Sequence, residues 1–159
     1  MAPETAQGDT QSEATGPVLL AYDGSDLAGF AIEQAGEQLV PGRDALVVCV
    51  WQPADVGFVP VDGRHLHAAA ADEVRAAAEE TAAHGASLAE AAGFRSRSMT
   101  VQAAPTWQGL VSVAEERGAS LIVLGSHCRT GLLGHFQGSV AAATVAHSRA
   151  SVLVVHRRT

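Results

Sequence analysis

The stretch Pro17–Ser25, PVLLAYDGS, decides how the rest of the chain is read. It opens as a short apolar run and ends at Asp23-Gly24-Ser25, a turn sequence. A run of this kind, apolar on both faces and closed by a turn, reads as a buried strand, Pro17–Asp23. Ser25 is then a helix N-cap. Ala28, Ile32, Ala35 and Leu39 recur at helical spacing behind it until Pro41-Gly42 stops the helix.

The same alternation continues outward. Ala45–Trp51 (ALVVCVW) is a second strand, and Gln52–Arg64, with its prolines and glycines, is a loop. A long Ala-rich helix follows, with Leu66, Ala70, Val74, Ala77, Thr81, Leu88 and Ala92 expected on one face and Gly93 closing it. In Phe94–Ala103, Arg and Ser alternate through the first half, as they would on an edge strand with one wet face. Pro105-Thr106 opens a third helix with Leu110, Val113 and Ala114 inward, ending at Arg117-Gly118. Leu121–Leu124 is the fourth strand, Gly125–Gly138 a glycine-punctuated loop, Ser139 the cap of a fourth helix, and Ser151–His156 the last strand. Strands alternating with helices predict a parallel sheet with right-handed crossovers. Such sheets take ligands beyond the carboxyl ends of their strands, where the strand order reverses.

Length and composition narrow the function. The 159 residues fit one domain, expected over 17–159 behind a disordered tail at 1–16. A net charge of −7, with no basic cluster, argues against nucleic acid and anionic membranes. No segment approaches the roughly 20 apolar residues that span a bilayer. All ten basic residues are Arg. Without Lys there is no Walker A phosphate loop and no Schiff base. The two cysteines, Cys49 and Cys128, are too few for a disulfide framework or a cysteine metal site. With acids ahead of any apolar run, the N-terminus does not read as a secretory signal, so a cytoplasmic location is expected.

Three features should meet at the carboxyl edge. Asp23 can accept hydrogen bonds from sugar hydroxyls or steady a metal, or it can simply shape the turn into the helix. The loop Gly125–Gly134 (GSHCRTGLLG) can crowd backbone N–H groups around an anion, or merely connect strand to helix. Gly138-Ser139-Val140 begins a helix, where free N–H groups suit a phosphate and Ser139 can equally be an ordinary cap. Cys128, beside His127 and Arg129, has neighbours that lower a thiol pKa. Oxidation gating a ligand is one reading of it and a tolerated small residue the simpler one. His65 and His67 lack an obvious third metal ligand, and Trp51 and Trp107 read as packing groups.

Together these residues resemble the universal stress protein family. Its ATP-binding members carry Gly, two residues, Gly, nine residues, then Gly-Ser or Gly-Thr. Here Gly125, the spacer Arg129–Gln137 and Gly138-Ser139 fall in place, while Cys128 stands where the second Gly belongs. Ala21-Tyr22-Asp23-Gly24-Ser25 is similar to the family's first strand and its Asp, and Ser151–His156 to its last strand. The resemblance implies a five-stranded parallel sheet in the order 3-2-1-4-5. It implies ATP, with or without Mg2+, near Ala21, Tyr22, Asp23, Val50, Leu124, Gly125, His127, Cys128, Arg129, Gly138, Ser139 and Val140. It also implies a regulatory homodimer paired through Ser151–His156, with no catalytic residue of its own. A nucleotide-independent dimeric scaffold and a slow ATP hydrolase are the competing readings.

Overall fold

The computed structural model describes residues 15–52, 64–126 and 140–157. Five parallel strands lie in the order β3-β2-β1-β4-β5: β1 (Val18–Ala21), β2 (Asp44–Trp51), β3 (Arg95–Gln102), β4 (Leu121–Gly125) and β5 (Ser151–Val155). Four helices alternate with them: α1 (Asp26–Gln38), α2 (Arg64–Ala91), α3 (Thr106–Glu116) and α4 (Val140–His147). The order and direction match the sequence-based expectation. Among the described residues no helix is long and apolar enough to cross a membrane.

Both faces of the sheet are covered, which is why its inner strands read as unbroken apolar runs. Side chains alternate along each strand. Val18, Leu20, Tyr22 and Val47 join Ala28, Ala31, Ile32 and Ala35 of α1 and Ala89 of α2 in one core. Leu19, Val48, Ile122 and Leu124 pack against Leu110, Val113 and Ala114 of α3 and Ala141 of α4 on the other face. Cys49 and Trp51 extend the first layer against Ala78 and Ala82 of α2. With so few aromatics, closely laid small residues fill much of this volume, as the composition implied.

Element boundaries differ from the sequence reading by a residue or two, since apolar runs do not mark where hydrogen bonding stops. One larger correction concerns α2. Ala77, expected inward, is exposed, and the buried stripe runs through Ala78, Ala82, Gly85 and Ala89. A helix that is mostly alanine has little contrast between its faces, so its sequence does not fix the rotation about its axis. β3 is an edge strand, as expected, with Arg95 and Arg97 exposed on one face, although Ser98 on the other face is exposed as well.

At the amino end of the sheet, Ser120 Oγ and Arg43 Nη2 donate to the carbonyl of Gly16 at 2.9 and 3.1 Å. Arg43 Nη2 also donates to Ser120 Oγ at 2.8 Å. This small knot fixes the start of β1, and the opposite, carboxyl end is left for function.

Candidate functional site

β1 is only four residues long, and both neighbours outrun it. Its last partner on β2 is Val48, opposite Ala21, so β2 continues through Cys49, Val50 and Trp51 paired with β3 only. On the other side β1 pairs with β4 as far as Val123, beyond which Leu124 and Gly125 continue. The chain leaves β1 by a sharp turn. Gly24 has φ +84°, in the left-handed region that favours glycine, and Asp23 Oδ1 accepts the N–H of Ser25 at 3.0 Å. Ser25 Oγ then accepts the N–H of Ala28 at 3.1 Å and caps α1. The chain enters α1 on one face of the sheet, whereas β4 is entered from α3 on the other. A crevice opens between them at the reversal of strand order.

A cavity of about 210 Å3 occupies this crevice. Ala21, Tyr22 and Asp23 line it from β1, Val48 and Val50 from β2, Leu124 and Gly125 from β4. Ser25, Leu27 and Ala28 close it from α1, Thr106 and Leu110 from α3, and Val140 from α4. Seven residues named from sequence therefore meet in one place: Ala21, Tyr22, Asp23, Val50, Leu124, Gly125 and Val140. His127, Cys128, Arg129, Gly138 and Ser139 lie outside the described residues.

Each contributes differently. Tyr22 lends the cavity its backbone while its side chain turns into the α1–α2 layer, where Oη and His84 Nδ1 share a hydrogen bond at 2.8 Å. Burial, then the carboxylates of Asp23 and Asp26, push the Tyr22 phenol above its ordinary value. Asp23 is exposed and commits one oxygen to the turn, leaving the other for a ligand. Gly125 has a steric role: a Cβ there would stand 2.8 Å from Leu27 Cγ and 2.9 Å from the Leu27 carbonyl oxygen. Its lack of a side chain lets α1 settle against β4 and form one wall.

Val50 offers backbone. Along a strand, successive residues turn their N–H and C=O to opposite neighbours. The Val48 carbonyl accepts the N–H of Tyr22 at 3.0 Å, on the β1 side, and the Trp51 carbonyl accepts that of Ala103 at 3.2 Å, on the β3 side. Val50 therefore turns its N–H and C=O toward β1, past the point where β1 ends. Among the described residues, Tyr22 and Gly24 make no backbone hydrogen bond to it. The crevice thus presents a donor and an acceptor side by side, between apolar walls.

Sequence reasoning missed Leu27, Thr106 and Leu110 as cavity walls. Leu110 was read as a core residue and Thr106 as a helix opener, and nothing local says that both also face a ligand space. A larger groove of about 430 Å3 lies between α1 and α2, toward their C-terminal ends. Its polar lining is Glu33 and Glu37. The described residues contain no cluster able to hold a metal ion.

The fold has counterparts among known proteins. The profile of the universal stress protein family matches residues 15–156. No curated sequence relative matches the chain. The solved structure of hypothetical protein MJ0577 is 21% identical with a TM-score of 0.71, over 92% of this chain and 99% of that one. A universal stress protein in complex with cAMP is 22% identical, TM-score 0.63, over 90% of this chain and 98% of that one. A universal stress protein from Archaeoglobus fulgidus in complex with dAMP is 20% identical, TM-score 0.55, over 89% and 98%. At these identities the structural likeness is one of fold.

Proposed function

The chain belongs to the universal stress protein family, and from that premise we propose that its crevice binds an adenine nucleotide, ATP in the first instance, in a cytoplasmic homodimer that acts as a regulator. The observation that carries this reading is the outward-facing backbone of Val50 set across the crevice from the free carboxylate oxygen of Asp23. Adenine carries an amino donor beside a ring-nitrogen acceptor, which complements a carbonyl beside an N–H. Guanine presents the reverse pattern and would set acceptor against acceptor, at the cost of an unmet buried group. The apolar walls of Val48, Val50, Leu110 and Leu124 suit the faces of a base. Asp23 suits ribose hydroxyls.

Phosphates would extend toward the Gly125–Ser139 segment, whose Gly138-Ser139 at the approach to α4 supplies the family's phosphate-binding pattern. Two family structures were solved in complex with cAMP and with dAMP, which supports an adenine nucleotide as the ligand. Mg2+ would arrive with the ATP phosphates and supply charge neutralisation. The dimer reading rests on β5, an edge strand with no strand beyond it among the described residues. A slow hydrolase is the competing reading, for which Asp23 is the candidate base among the cavity's described side chains.

Calorimetric titration with Mg-ATP, GTP and AMP tests the reading, with Gly138→Asp as the phosphate-site control. Saturable ATP binding, weaker in the variant and absent for GTP, is the expected result. A folded, nucleotide-free protein that takes up no adenine nucleotide would leave the dimeric scaffold as the function.

A further inference from the structure

We propose that Thr106 is a base-reading residue, its hydroxyl bonding a ring nitrogen of the bound purine. This rests on the adenine reading above and adds a side-chain contact to the backbone pair at Val50.

Three observations place it. Thr106 and Leu110 are four residues apart on α3, hence on one face of the helix, and both line the cavity. Leu110 is buried in the core against Val48. α3 runs back against the strand direction, so Thr106, one turn earlier, stands beyond Leu110 at the carboxyl edge, on the side of the sheet where Val48 and Val50 project.

Secondly, α3 is seated close to the sheet. A Cβ at Gly109 would meet Val50 Cγ1 at 3.3 Å, Val101 Cγ1 at 3.2 Å and Ala103 Cβ at 2.8 Å. A helix this near to Val50 brings its neighbouring Thr to the level of the Val50 backbone edge. Thirdly, the hydroxyl is uncommitted. The N-cap of α3 is Pro105, which forms no side-chain cap hydrogen bond, and among the described residues none bonds the Thr106 hydroxyl. The other polar side chains of the cavity are already engaged, Ser25 with the Ala28 N–H and one oxygen of Asp23 with the Ser25 N–H. On the β2–α3 side Thr106 is the polar side chain among described residues, set in apolar surroundings where a hydrogen bond is strengthened. A hydroxyl can donate, and purine ring nitrogens away from the Val50 pair are acceptors.

The test is a substitution cycle on the full chain: wild type and Thr106→Val, each titrated with ATP, 7-deaza-ATP and 3-deaza-ATP. Val keeps the shape and removes the hydroxyl. ATP should bind Thr106→Val roughly three- to tenfold more weakly. With the analogue lacking the partner nitrogen, that difference should vanish. Equal ATP affinity in both proteins, or a loss that persists with both analogues, overturns the proposal. Failure of the wild type to bind ATP at all instead overturns the nucleotide reading, so the two failures are distinct. Thermal unfolding of both proteins without nucleotide checks that Thr106→Val folds; should it misfold, the same comparison passes to Thr106→Ala, which also removes the hydroxyl, with Thr106→Ser expected to retain ATP affinity within about twofold.

Discussion

His156 Nδ1 stands 3.1 Å from the carbonyl oxygen of Ser126, and the Ser126 N–H donates to the Val155 carbonyl at 2.9 Å. Ser126 is buried and directly follows β4. The end of β5 therefore holds both backbone polar groups of the residue from which the glycine-punctuated segment departs. The carbonyl can only accept, so Nδ1 carries the proton.

Removing that donor should be measurable. His156→Leu should lower unfolding free energy by about 1 kcal/mol, the net worth of a hydrogen bond, in urea denaturation. His156→Asn, whose amide can donate from a similar position, should recover most of it. Equal losses in both would mean that the ring's packing, not its hydrogen bond, is what matters.

Gly125→Ala should cost about 1–3 kcal/mol, because the new methyl must displace the Leu27 backbone as well as its side chain. Leu27→Ala in the same chain should relieve only the side-chain part of the clash. Thermal unfolding of the single and double variants reads this, and additive losses would show that α1 moves freely away.

Ser25→Ala removes the cap of α1 and should destabilise by about 1 kcal/mol. Ser25→Asp should hold stability near that of the parent, since its carboxylate can accept the same N–H and suits the helix N-terminus. Circular dichroism melts distinguish the two.

These expectations were legible to different degrees in the sequence. The strands announced themselves because a parallel sheet buried on both faces needs continuous apolar runs, and PVLLAYD and ALVVCVW are such runs. Asp23 and Ser25 followed from turn and cap chemistry, which is local. The rotation of α2 was not legible, because alanine on every side gives the helix no preferred face. Nor were the cavity roles of Leu27 and Thr106. These depend on how closely α1 and α3 approach the sheet, and so on what Gly125 and Gly109 lack.

Alkaline stability should depend on two buried acids. Burial, with Asp23 as the second cause, raises the Cys49 thiol above its ordinary 9.0. Burial, then Asp23 and Asp26, raises the Tyr22 phenol above 10.0. Both groups stay protonated in the fold at a pH where the unfolded chain has begun to lose its protons. Stability is thus fully present below about pH 9 and falls as pH rises through the unfolded values toward the folded ones. Cys49→Ala should remove the earlier part of the decline and Tyr22→Phe the later part, in denaturant titrations between pH 8 and about 11. A decline unchanged in the double variant would assign it to other groups.

The short first strand carries a consequence of its own. Where β1 stops, β2 goes on, and the ladder between them lacks its next rung. A base seated at Val50 would supply that rung, so that ligand and polypeptide are counted in one hydrogen-bonded lattice. Occupancy would then be written into the sheet itself, as slowed amide exchange at Val50, a signal confined to the middle of the molecule and independent of any moving lid.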